Sequence, residues 1–226
     1  MSTETTAPDP AGGTTATATA ASTGTTGTTP AAPARPSRWT ITAADAARIA
    51  TFAALICVLS LAGQIQFTEG MAPITLQTLG VMLAGTLLGA YRGALAVATF
   101  LLLALAGLPI LAGGSGGPAP FVGPTAGYLY GWLFGAALTG WLVDRVRGRL
   151  TVLHVFGAAL AGGVGVVYAF GIPVTAVVTG LPLGKVVALS AVYLPGDVVK
   201  AVIAAVITVA VVKAYPAASP AARRSR

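Results

Sequence analysis

The sequence predicts an all-α integral membrane protein, a bundle of six transmembrane helices with both termini cytoplasmic. Three observations predict it. Of 226 residues, 55% are hydrophobic and only 8% are charged. The apolar residues gather in runs long enough to cross hydrocarbon, and the basic residues cluster between alternate runs. A soluble domain carries about 25% charged residues, so a chain this poor in charge needs lipid as part of its solvent.

Residues 1–37 are a different material, rich in Thr, Ala, Pro and Gly with almost no large apolar side chain. Such a segment cannot bury enough surface to offset its conformational entropy and is expected to be disordered. It lacks the basic n-region and compact apolar stretch of a secretory signal before Arg35. The membrane domain is expected over 38–215, followed by a basic cytoplasmic tail, 216–226.

A helix needs about 20 mostly apolar residues to span the hydrocarbon core. The first run, 44–62, carries Ala46, Ala50 and Ala54 at every fourth position, which places them on one helical face where another backbone can come close. Packing inside the bundle and docking of a second membrane subunit both fit that pattern. The sole cysteine, Cys57, lies in the same run, which excludes a disulfide or cysteine metal site within the chain and suits a small buried apolar role.

The second run, 74–90, opens with Pro73-Ile74-Thr75-Leu76-Gln77-Thr78-Leu79, where Gln77 and Thr78 can cap the helix or donate to a ligand. The third, 92–108, leads into an uncharged stretch, 107–128, containing Gly113-Gly114-Ser115-Gly116-Gly117. Irregular backbone near membrane depth is tolerated where it is buried in protein or lines a cavity, so this stretch is expected to be a long loop forming a lid. Two further runs cover 125–143 and 152–170. The shorter segment 182–194 reads as a half-helix or re-entrant piece. Leu194-Pro195-Gly196-Asp197 then reads as a helix stop and restart, with Asp197 able to cap the last run, 195–213.

If six spans alternate, Arg35, Arg38, Arg48, Arg92, Arg145, Arg147, Arg149, Lys213, Arg223, Arg224 and Arg226 share one side, eleven of the thirteen basic residues. Cytoplasmic loops are enriched in Lys and Arg, so this side is inside. On the other side only Lys185 appears, and Lys200 lies within the last run. The formal charge of +7 does not indicate nucleic acid binding, because these residues form short clusters rather than one contiguous face.

Polar groups inside a span are costly and mark function. Asp197 and Lys200 are three apart and share a helical face near the outer end of the last run. Either they neutralise each other, or Asp197 accepts and Lys200 donates hydrogen bonds in a ligand site. Other patterns carry no chemistry. Gly113 to Gly117 matches the G-x-S-x-G of serine hydrolases, but no strand precedes it and the only histidine, His154, belongs to the opposite membrane side. Gly180 to Lys185 departs from a phosphate loop in spacing and has Val186 where Ser or Thr is required. No paired carboxylates or metal-ligand cluster are legible, so neither an enzyme nor a metal site is expected.

Four motifs, in order along about 45–213, resemble the BioY family, the biotin-specific S components of energy-coupling-factor vitamin transporters. They are Pro73-Ile74-Thr75-Leu76-Gln77-Thr78-Leu79-Gly80; Gly107-Leu108-Pro109 with Ala112-Gly113-Gly114-Ser115-Gly116-Gly117; Gly123-Pro124-Thr125-Ala126-Gly127-Tyr128; and Leu194-Pro195-Gly196-Asp197-Val198-Val199-Lys200. The resemblance implies a six-helix bundle that binds biotin from outside in a cavity closed by outer loops. It gives Asp197 and Lys200 ligand contacts, with Thr78 (Asn in some relatives), Gln77, Gly127 and Tyr128 beside them. It also implies that Ala46, Ala50 and Ala54 dock on a transmembrane coupling subunit energised by two separate ATPases, the transported biotin being the ligand and no cofactor being used. A homo-oligomer is also compatible. Asp197 taking ureido N–H groups while Lys200 donates to the carbonyl, and Lys200 facing the carboxylate, both remain open. So do an S component for thiamin or riboflavin and a non-transporting membrane scaffold.

Overall fold

The computed structural model describes residues 41–62, 64–65, 74–147, 149–220 and 222. The 1–37 segment, Pro73 and the terminal arginines named above lie outside the described residues. All long elements are helices, and helix α1 (Ala43–Ala62) starts on a reciprocal exchange. Asp45 N–H donates to Thr42 Oγ1 at 3.2 Å and Thr42 N–H donates to Asp45 Oδ2 at 3.4 Å, which satisfies donors that a helix start leaves open. Ile49, Ala53, Ile56 and Ser60 form the buried stripe of α1, at the three- and four-residue spacing that keeps a helix face inward.

An antiparallel pair of two-residue strands, β1 (Gln64–Ile65) and β2 (Ile74–Thr75), lies between the first two helices of a fold that is otherwise helical, as expected. It delays the second helix, expected from 74, to α2 (Gln77–Leu88). Helix α2 is apolar on every side and almost wholly buried, the property of a helix surrounded by others. Gly89, at φ 82°, turns the chain directly into α3 (Ala90–Leu105). The guanidinium of Arg92 on α3 grips the buried Asp45 carboxylate, Nε to Oδ1 at 2.9 Å, joining the starts of α1 and α3.

The stretch expected to be a long irregular loop is partly ordered by its own backbone. Leu111 N–H donates to Ser115 O at 3.0 Å and Gly117 N–H to Ala104 O at 2.7 Å. A 3-10 turn, Ala112–Gly114, and a one-turn helix, α4 (Ala119–Val122), fill the rest. Helix α5 (Ala126–Arg145) follows, then α6 (Val152–Ala159), a π-helical stretch Leu160–Val166, and α7 (Val167–Thr179), which run on as one 28-residue helix. This helix continues nine residues past the apolar run expected to end at 170. Two of its π-helical glycines, Gly162 and Gly163, fit closely: Gly163 faces Met82, where an added Cβ would lie 2.6 Å from Met82 Cγ.

Helix α8 (Leu183–Ala191) is the expected short piece, and α9 (Leu194–Ala214) closes the bundle. Asp197 does not cap this last helix, contrary to expectation. Helix α9 begins before Pro195, with Tyr193 at its N-cap position and no side-chain cap. Proline fits a first turn because its missing N–H has no partner to lose there. Asp197 is thereby inside the helix, its backbone N–H bonded to Tyr193 O at 3.0 Å, and its carboxylate is left for other partners.

Among the described residues, three helices are long and apolar enough to cross a membrane, Ala43–Ala62, Val152–Thr179 and Leu194–Ala214, while Gln77–Leu88 and Ala90–Leu105 are shorter apolar helices. Large apolar side chains face outward, among them Val58, Leu102, Phe134 and Val206, as a lipid-facing surface requires.

Candidate functional site

The glycines of α5 set the walls of the site. Gly127, Gly131 and Gly135 recur every fourth residue, so they form one ridge with no side chains between α5 and the helix opposite. A Cβ at Gly127 would meet Val174 Cβ at 2.6 Å, one at Gly131 would meet Val167 Cα at 2.9 Å, and one at Gly135 would meet Gly162 O at 2.6 Å. Backbones this close hold α5 against α7 at a fixed separation. Gly127, expected among ligand contacts, is thus placed in this ridge and does not line the cavity.

Beside the ridge lies a cavity of about 510 Å³, reached by residues of α2, the 111–125 stretch, α5, α7, α8 and α9. Small-molecule sites commonly measure about 300–1,000 Å³. Its lining is mainly apolar and aromatic, including Leu111, Leu129, Trp132, Val167, Val186 and Leu189; Asp197 and Lys200 are its charged members among the described residues.

Asp197 and Lys200 are 5% and 7% exposed, and Lys200 Nζ lies 3.0 Å from Asp197 Oδ1. Lys200 Nζ also donates to Thr78 Oγ1 at 3.0 Å, and the Thr78 hydroxyl donates to Asp197 Oδ1 at 3.3 Å, which closes a three-membered ring across α2 and α9. Tyr168 of α7 donates its O–H to Asp197 Oδ2 at 2.7 Å. Desolvating two charges costs several kcal/mol per ion unless further hydrogen bonds accompany the pair; Thr78 and Tyr168 supply them. The pair is therefore an ion pair that also forms part of a cavity wall. Hydrogen-bonding capacity remains: among the described residues, two of the three ammonium N–H groups on Lys200 are engaged, and Asp197 Oδ2 accepts from Tyr168 alone.

Tyr128 lines the same cavity, sharing a 2.8 Å hydrogen bond with Ser190 of α8 and meeting the Tyr168 ring edge to face at 6.0 Å between centroids. Gln77 and Thr78 do not cap α2, whose N-cap is Leu76; both side chains line the cavity. Of the glycine-rich segment, Ser115 lines the cavity with neighbouring Leu111, Ala112 and Pro120, whereas Gly113, Gly114, Gly116 and Gly117 do not. Gly113, Gly114 and Gly117 hold φ between 69° and 78°, a conformation that favours glycine, so they shape the wall rather than touch its contents. Ala46, Ala50 and Ala54 are far from this chemistry in role, exposed along α1.

The profile of the BioY family matches residues 31–217 of the chain. The chain belongs to the BioY family. Among relatives of this BioY-family chain is the biotin transporter BioY of Rhizobium etli, 47% identical over 181 residues, with 78% of this chain and 97% of the relative covered. The biotin transporter BioY of Rhodobacter capsulatus is 42% identical over 179 residues, covering 75% and 94%. A crystal structure of the S-component for biotin from an ECF-type ABC transporter superposes with a TM-score of 0.71 at 34% identity, covering 75% of this chain and 91% of that one. With its apolar helices of spanning length, this BioY-family chain is a multi-pass membrane protein.

Sequence reasoning missed Tyr168, Trp132 and Ser190. Tyr168 had a usable signal, a phenol within an apolar run, since a buried Tyr O–H normally finds a partner. That its partner is Asp197, 29 residues away, is set by tertiary structure alone.

Proposed function

We propose that this chain binds biotin with high affinity and carries it across the cytoplasmic membrane as the substrate-specific subunit of an ECF-type transporter. The observation that carries the reading is the Thr78–Asp197–Lys200–Tyr168 cluster, buried on the wall of an otherwise apolar cavity. Biotin suits such a wall. Its ureido ring offers two N–H donors and a carbonyl, and its thioether ring and aliphatic chain favour the apolar lining. The spare acceptor on Asp197 and spare donor on Lys200 match one edge of the ureido group. Hydrogen bonds to charged groups contribute about 1.5–3 kcal/mol each.

In this reading the six apolar runs of the sequence cross the membrane, with both termini cytoplasmic and the basic residues inside. Biotin enters from outside, the 107–124 stretch closes over it, and the loaded subunit reorients to release it inside. The exposed Ala46, Ala50 and Ala54 face docks on a transmembrane coupling subunit, and two ATPase subunits supply the energy. Biotin is substrate, and the chain uses no cofactor and catalyses no reaction. Titration of the purified protein in detergent with biotin, thiamin and riboflavin tests the reading: saturable heat is expected with biotin alone, and a preference for either other vitamin, or no binding, overturns it.

A further inference from the structure

Two polar side chains of the cavity wall lie outside the charged cluster. Gln77, 1% exposed, has both its amide oxygen and its amide nitrogen buried without a hydrogen-bond partner among the described residues, and so does the indole N–H of Trp132, which is 8% exposed. Both line the cavity. Other buried hydroxyls among the described residues are matched, Thr86 with Thr208 at 2.8 Å and Thr139 donating to Ala158 O at 3.3 Å, and Ser60, on α1, is not among the residues that line the cavity. Leaving a buried polar group unmatched is costly, so three such atoms on two residues of the cavity lining call for a partner that the described residues do not provide.

We infer that Gln77 and Trp132 form a second, neutral subsite that reads the ureido edge facing away from Asp197 and Lys200. The inference rests on the biotin reading above and deepens it. A cyclic urea is flat, and its ring fixes each N–H beside the carbonyl, so it presents two edges, each with one donor and one acceptor lone pair. The charged cluster has one spare acceptor and one spare donor for the first edge. A primary amide presents the same pair for the second: Gln77 Oε1 accepts the other N–H, and Gln77 Nε2 donates to the carbonyl. The Trp132 N–H is a further donor to that oxygen. A carboxylate would fit this subsite poorly, because it has no N–H for Gln77 Oε1 and the subsite has no cation to balance its charge.

The test pairs protein variants with ligand variants by calorimetric titration in detergent. Gln77→Met keeps the length of its side chain and Trp132→Phe keeps an aromatic ring at its position, and each removes the polar atoms. Any loss from the smaller ring of Phe falls on all ligands alike, which the comparison between ligands separates from the lost hydrogen bond. Each should weaken biotin and desthiobiotin, which retains the ureido ring, by about tenfold, equivalent to about 1.4 kcal/mol. 2-Iminobiotin replaces the carbonyl oxygen with a nitrogen carrying hydrogen, so Trp132→Phe should leave its affinity within about twofold of the wild-type value. Biotin affinities within twofold of wild type in both variants overturn the subsite, and so does an equal loss for all three ligands, which marks a merely structural role. A wild-type protein that binds no biotin defeats the underlying reading as well. Thermal unfolding of each variant without ligand identifies any that fail to fold, and the remaining variant then decides.

Discussion

Replacing Asp197 and Lys200 together separates a ligand site from internal glue. Asp197→Asn alone leaves the ammonium of a residue 7% exposed without its counter-charge; Thr78 at 3.0 Å remains as its protein acceptor. Breaking a buried pair from one side costs about 3–5 kcal/mol. Lys200→Met alone strands a carboxylate that still accepts from Tyr168 and Thr78, so its loss should be the smaller. The double replacement removes both charges, and swapping a buried pair for neutral groups is often close to neutral for stability. Unfolding temperature without ligand should therefore fall in Asp197→Asn and recover most of the way in the double variant. Biotin affinity should not recover. If each charged contact is worth at least about 1.4 kcal/mol, the double variant binds at least about a hundredfold more weakly than wild type. The measurements are differential scanning fluorimetry for the ligand-free proteins and calorimetric titration for biotin. A double variant that is stable and binds biotin within threefold of wild type would refute the assignment of these residues to the ligand.

Tyr168→Phe removes the 2.7 Å bond to Asp197 Oδ2 and should weaken biotin binding by roughly three- to tenfold, for a loss near 1 kcal/mol; titration checks it. Arg92→Leu removes the principal counter-charge of buried Asp45, leaving Arg48 at 3.3 Å. It should lower the unfolding temperature while biotin affinity stays within about twofold, because this pair is not part of the cavity lining. Ala50→Leu with Ala54→Leu adds bulk to an exposed α1 face. The isolated subunit should bind biotin as before, whereas, on the docking proposed above, copurification with a coupling subunit and uptake of labelled biotin into proteoliposomes should both fall at least tenfold.

How much of this was legible varies with the range of the interaction. The first, third, fourth and sixth apolar runs appear as α1, α3, α5 and α9 within about three residues at either end, because composition alone decides which segments avoid water. The second began late, since Ile74–Thr75 pair with Gln64–Ile65, a strand pairing that apolarity does not encode. The fifth ran long. Pro173 sits inside α7, where a local rule predicts a break, and packing against α5 carries the helix past it. Asp197 and Lys200 stood out because charges are rare in apolar runs and three residues of helix bring them together. Asp45 belonged to the same class and was missed, because it lies in a first turn, where acidic residues are ordinary; its burial comes from Arg92, on another helix. Gly127 was legible as special, but its reason, the backbone of α7, was not.

The ridge of Gly127, Gly131 and Gly135 turns the usual map of mutational tolerance inside out. In a water-soluble domain the bulky interior residues resist change and the small surface ones drift. In this bundle the outermost residues, such as Val58, Leu102 and Val206, need only be oily and can trade places with any similar side chain. The three positions with no side chain at all accept no addition, since even one methyl group would have to occupy space already filled by the neighbouring helix. A saturation screen for growth on limiting biotin should therefore find its most intolerant sites among the smallest residues of the chain.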